Sequence, residues 1–125
     1  MKRFILDVPV PPSVNHCYWY RNNRKYRTKI AQNYVEMIQK IAMSEMAVTC
    51  FAMFPAKEKL YIELTYYFPD ARRRDTHNTL KLLFDAWNEI VYPDDQYLLP
   101  KILDFSVDRQ NPHVHIEIYK KGDKI

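Results

Sequence analysis

Between positions 72 and 95 the chain runs an arginine triplet, Arg72, Arg73 and Arg74, straight into Asp75 and His77, then places Lys81, Asp85, Asp94 and Asp95. Guanidinium groups hold phosphate oxygens. Clustered carboxylates repel one another unless a cation sits among them, and a hard divalent cation suits oxygen donors. A site that grips phosphate on one side and metal on the other points to phosphodiester chemistry. If the segment that carries Asp95 folds back toward Asp75, those two acids can share a magnesium ion with Asp85 nearby. Lys81 then offers a point charge to a scissile phosphate. The same residues have plainer uses. Asp75 suits a helix cap, Asp94 and Asp95 suit a turn, and Lys81 with Asp85 forms a surface pair one helical turn apart. Spacing alone leaves both readings open.

A second cluster lies at residues 16–29, where Arg21, Arg24, Lys25, Arg27 and Lys29 occur with no acidic residue and alternate with Tyr18, Trp19, Tyr20 and Tyr26. Cations track phosphates, and flat rings stack on unpaired bases. The plainer use is a solvated basic loop whose rings tuck into the core or a subunit contact. His113 and His115 alternate on one strand and offer zinc two ligands. No third ligand is obvious, and the polar face of a strand explains them as well.

The elements that must position these groups follow from periodicity. Residues 3–8 alternate, with Phe4, Leu6 and Val8 on one side, as a strand does. Residues 14–29 show no clear period and read as a long loop. Thr28 suits an N-cap, and Ile30, Tyr34, Ile38, Ile41 and Ala42 recur at helical spacing to about residue 49. Residues 60–68 alternate most cleanly. Leu80, Leu83, Phe84, Trp87 and Val91 predict a second helix starting near Thr76, with Asn78, Lys81 and Asp85 along its polar face. Residues 101–108, with Leu103, Phe105 and Val107 on one side, and residues 113–118 alternate on either side of a short link, which predicts a hairpin. The expected fold is α/β (α+β): one domain over residues 1–125, with a mixed sheet of about four strands. Two helices pack on one face, in the order strand, helix, strand, helix, strand, strand.

The 125-residue length suits one domain, and the charge of +4 is concentrated in the basic segments. The only glycine is Gly122, so no glycine-rich phosphate loop exists and no organic cofactor is expected. Two distant cysteines, Cys17 and Cys50, give neither a disulfide framework nor metal spacing. No long apolar run or signal peptide is visible, so a cytoplasmic protein with no membrane association is expected.

The run Arg72 to Asn78, with Lys81, Phe84, Asp85 and Ala86, then Asp94, Asp95 and Gln96, resembles the RusA family of Holliday junction resolvases. So do Pro11, Pro12, Ser13, Val14 and Asn15 near the start, and the likeness extends over nearly the whole chain. The resemblance implies a small homodimer that cuts four-way junction DNA with magnesium. It implies a metal site at Asp75, His77 and Asp95, with Lys81 assisting and Asp85 as a further acid. Asn15, Arg21, Arg24, Lys25, Arg27, Arg72, Arg73 and Arg74 are the expected DNA contacts. His77 departs from the family pattern, which has Asp there. Imidazole suits manganese and other transition metals better than magnesium. That departure keeps a second class open, a junction-binding protein with a degenerate acidic site. A zinc hydrolase built on His77, His113 and His115 ranks behind both.

Overall fold

The chain's structure, a computed structural model, describes residues 2–12, 17–72, 74, 76–77 and 80–123. Strand β1 (Phe4–Val8) leads to a pair of short strands, β2 (Tyr18–Arg21) and β3 (Arg24–Arg27). Helix α1 (Lys29–Thr49), strand β4 (Leu60–Phe68), helix α2 (Leu80–Ala86), strand β5 (Leu98–Val107) and strand β6 (His113–Lys120) follow. The main sheet has the order β1-β6-β4-β5 and is mixed: β5 runs parallel to β4, while β6 runs antiparallel to both β1 and β4. The four strands and two helices of the expected fold class are all present, in the expected order.

The core lies on one side of this sheet. Leu60, Ile62, Leu64, Tyr66 and Phe68 of β4 alternate inward beside Val114, Ile116 and Ile118 of β6 and Phe4, Leu6 and Val8 of β1. Against them pack Ala31, Tyr34, Val35, Ile38 and Ala42 of α1 and Leu82, Leu83 and Ala86 of α2. The Thr28 hydroxyl accepts from the Ala31 amide at 3.2 Å and starts α1 at the expected place. The buried stripe keeps Tyr34, Ile38 and Ala42 of the expected one and adds Ala31 and Val35, while Ile30 is exposed. The two helices are joined by the buried Trp87 indole, which donates to the Ile38 carbonyl at 2.9 Å, and by Gln39, which donates to Ala86.

Four expectations need correction. Residues 14–29 are not all loop. Tyr18–Arg21 and Arg24–Arg27 pair as a two-stranded hairpin around Asn22 and Asn23, whose φ values of 51° and 62° are those a type I′ turn requires. Neither side of this hairpin is core, so no apolar alternation marked it. The second helix stops at Ala86 rather than near Val91. Beyond it the chain turns at Glu89, with φ of 65°, and Asn88 bridges to Tyr92. Trp87 and Val91 are buried because this turn, not a longer helix, carries them inward.

The predicted hairpin between β5 and β6 does not form, because β4 lies between them. The short link crosses the end of β4, where the Asp108 amide donates to the Phe68 carbonyl at 2.8 Å. Strand β4, buried along one whole face, takes the central place. Finally, Leu103, Phe105 and Val107 do not line the core. The pairing of β5 slips between Leu64 and Thr65, as a bulge does, and every residue from Leu103 to Val107 is exposed.

The opposite face of the sheet is polar. Arg3 bridges Glu63 at 3.1 Å and Glu117 at 3.0 Å, and its guanidinium lies over the Tyr119 ring. His115 sits between Asp7 at 2.7 Å and Glu117 at 2.9 Å. Partial burial lowers the His115 pKa, but hydrogen bonds to Glu117 and Asp7 outweigh it and the net shift is upward. Glu117 is held below its ordinary value chiefly by His115. A raised histidine stabilises fully below its unfolded pKa of 6.5 and loses that contribution as pH rises through the folded value. A lowered carboxylate acts the other way, losing its contribution as pH falls below 4.5. Stability is therefore expected to be higher at about pH 6, below the histidine's unfolded value, than at a pH well above it. Solvent screening limits the His115 share to about 0.5–1 kcal/mol. Urea unfolding at both pH values checks this, and His115→Gln should remove the histidine share of the fall.

Candidate active site

Short-range chemistry brings the far end of the acidic motif back to its middle. Asp94 caps the 3₁₀ turn Asp95–Tyr97, accepting from the Gln96 amide at 3.1 Å and from the Gln96 side chain at 3.1 Å. With Asp94 committed to the cap, the turn directs Asp95 toward α2. The Lys81 ammonium donates to Asp85 at 3.0 Å and to Asp95 at 3.4 Å. Three residues expected in the site therefore meet: Lys81, Asp85 and Asp95. Their side chains are unequal in exposure, 68% for Lys81 against 27% for Asp85 and 15% for Asp95. The hydrogen bond to Asp85 is the largest influence on Lys81 and holds it above its usual range. Below this cluster the buried Tyr92 hydroxyl donates to the Phe84 carbonyl at 2.7 Å. Burial pushes Tyr92 far up, and the charges of Asp95 and Asp85 push it further.

His77 is exposed and lines a cleft of about 430 Å³ with Thr76, Leu80, Pro100, Ile102, Leu103, Asp104 and Phe105. The turn that carries it is tied to the central strand, since the Tyr66 hydroxyl donates to the Thr76 carbonyl at 3.1 Å. Asp75, Asn78, Arg73 and Asn15 lie outside the described residues. Among the described residues no three His, Cys, Asp or Glu side chains gather to hold a metal ion. The proposed zinc histidines have other partners. His113 stacks on Tyr67 and meets the Asn111 carbonyl, while His115 belongs to the sheet network.

The arginines divide by use. Arg74 is folded into its own loop: it meets Asp70 at 2.8 Å, lies over the Phe68 ring, and has a side chain 22% exposed. Hydrogen bonds from Arg74, then Arg72, hold the Asp70 carboxyl well below the usual carboxylate range. The Arg72 side chain remains 80% exposed. On the hairpin Arg21, Arg24, Lys25 and Arg27 are all exposed. Arg27 reaches Gln32 of α1 at 3.2 Å, and Lys25 lies over the Tyr18 ring at 3.9 Å. Tyr18 is raised chiefly by burial. Apolar periodicity does not mark this hairpin. The signal was present in Asn22 and Asn23, a pair suited to positive φ, flanked by β-forming rings.

Residues 8–119 match the model of the family described as Endodeoxyribonuclease RusA. The chain belongs to the RusA family. Three curated RusA relatives share modest identity with it. The crossover junction endodeoxyribonuclease RusA of Escherichia coli K12 is 33% identical over 86 residues, 69% of this chain and 68% of that protein. The protein of the same name from Enterobacteria phage HK97 is 30% identical over 95 residues, 76% of this chain and 75% of its own. That of Enterobacteria phage 82 is 33% identical over 86 residues, again 69% and 68%. The resemblance seen in the RusA-like motif is thus borne out across nearly the whole chain.

Proposed function

We propose that this chain is a structure-selective endodeoxyribonuclease that resolves four-way DNA junctions with a divalent cation, in DNA recombination and repair. The observation that carries the reading is the Lys81–Asp85–Asp95 cluster, in a RusA-family chain that also carries an exposed basic hairpin. The Lys81 ammonium between two carboxylates stands in for a cation, and the donors are hard oxygens that suit magnesium. Asp75, Asp85 and Asp95 would hold the ion, with His77 favouring manganese as a second choice. When bound, the ion makes a water more acidic and neutralises charge developing on the phosphoryl group. Lys81, already charged and exposed, faces an approaching phosphate as a compact cation. Arg21, Arg24, Lys25, Arg27 and Arg72 track the backbone, joined from the sequence by Arg73 and Asn15, while Arg74 orders the loop that carries Arg72.

Two protomers related by a twofold axis would present two such sites to a symmetric junction. The outer edge of β5 is the surface we assign to the second copy. It carries Leu103, Phe105 and Val107 at 57%, 65% and 45% exposure, and no strand pairs with it among the described residues. An exposed apolar edge of this length invites strand addition.

Among the described residues no helix is long and apolar enough to cross a membrane. A cytoplasmic location fits an enzyme acting on DNA. One observation favours a second reading: His77 stands where the family pattern has Asp, which would suit a junction-binding protein that does not cut.

Cleavage of a synthetic four-way junction and of plain duplex, in magnesium and separately in manganese, tests the proposal. Cutting confined to the junction supports it, while tight junction binding without cutting in either metal supports the second reading. The basic hairpin makes its own expectation. Replacing Arg21 and Arg24 with Ala should weaken junction binding and reduce the slope of log affinity against log salt by up to about two. Titrations across a salt series check this, and an unchanged slope would remove the hairpin from the interface.

A further inference from the structure

The β2–β3 hairpin carries more than charge. Its register sets Trp19 opposite Tyr26 and Arg21 opposite Arg24. These two pairs lie two residues apart along each strand, so all four side chains share one face. The Trp19 and Tyr26 rings stack with centroids 4.4 Å apart and planes 19° apart, yet they remain 45% and 37% exposed. They stand outside the hydrophobic core. Next to them two like charges sit directly across the ladder, which folding alone does not favour and which an anion between them would relieve. The positive-φ turn at Asn22 and Asn23 fixes the tip, and the Thr28 amide closes the foot by donating to the Cys17 carbonyl at 2.9 Å.

Resting on the nuclease reading above, we propose that the Trp19–Tyr26 stack is a platform for a base exposed at a DNA branch point. Arg21 and Arg24 hold the adjoining phosphates, and the platform sets the preference for branched over continuous DNA. Inside a continuous duplex both faces of every base pair are already covered by neighbours. A branch point interrupts that stacking and leaves a base face free, which an aromatic pair can cover whatever the base. The basic residues attract either form of DNA, whereas the rings reward only the interrupted one.

The test is binding in EDTA to a synthetic four-way junction and to a duplex of the same sequence. The Trp19→Ala, Tyr26→Ala double variant should lose about tenfold or more in junction affinity and less than about threefold on duplex. Trp19→Phe with Tyr26→Phe should recover most of the loss. A second measurement uses the unaltered protein. Trp87 is fully buried, so of the two tryptophans Trp19 is the one acrylamide reaches. Junction should shield that quenching and duplex should not. Equal losses on both DNAs, or quenching unchanged by the junction, would overturn the platform. Both measurements are made without cleavage, so a failure of the unaltered protein to cut in magnesium or manganese contradicts the nuclease reading alone.

Discussion

Asp95→Asn should reduce junction cutting by at least about a hundredfold while leaving junction affinity in EDTA unchanged or higher. The substitution keeps the shape of the side chain and can still accept from Lys81, but it removes the charge that would hold a cation. Removing a negative charge beside DNA phosphate cannot weaken the electrostatic part of binding. Asp94→Asn is the matching control, because an amide oxygen there still caps the turn by accepting from Gln96, and cutting should persist. Asp75→Asn carries the same expectation as Asp95→Asn on the sequence motif. The reverse change at the family's departing position, His77→Asp, should retain or raise cutting in magnesium. Parallel loss of binding and cutting in Asp95→Asn would contradict a metal role, and inactivation by His77→Asp would show that an imidazole is required.

The second large effect concerns assembly. Leu103→Asp with Phe105→Asp should convert a dimer to a monomer in light scattering, with the dissociation constant rising by about a hundredfold or more. Each buried large side chain contributes about 1.5–3 kcal/mol, and each new carboxylate would lose hydration in a strand–strand contact. Both positions lie at the exposed end of β5, so the protomer's core is unaffected. Both residues also line the cleft that carries His77, so the readout of this variant is assembly and not cutting. A variant that remains dimeric would move the interface elsewhere on the surface.

What the sequence made legible was whatever had a one-sided period. Strands β1, β4 and β6 and helix α1 bury alternate or helically spaced apolar residues, and all four lie close to where that pattern puts them. Pairing partners were less legible, because a short link between β5 and β6 looks the same whether they are neighbours or straddle β4. The Leu103 region shows a different limit. Alternation there is apolar but faces solvent, and a bulge breaks its phase. The hairpin of β2 and β3 escaped notice because it contributes little to the core, although its turn residues announced it. In the site, the motif named the acids, and the Lys81–Asp85 pair follows from helical spacing. The approach of Asp95 to Lys81 depends on a turn capped by Asp94, a tertiary outcome that spacing alone could not give.

A crystal soaked in manganese tests the central claim most directly, because the ion's anomalous signal locates it without reference to activity. The account requires a peak bounded by the carboxylates of Asp75, Asp85 and Asp95, with Lys81 displaced from between the latter two. A map with no peak there, and with the Lys81 ammonium still bridging Asp85 and Asp95 at saturating manganese, would contradict it.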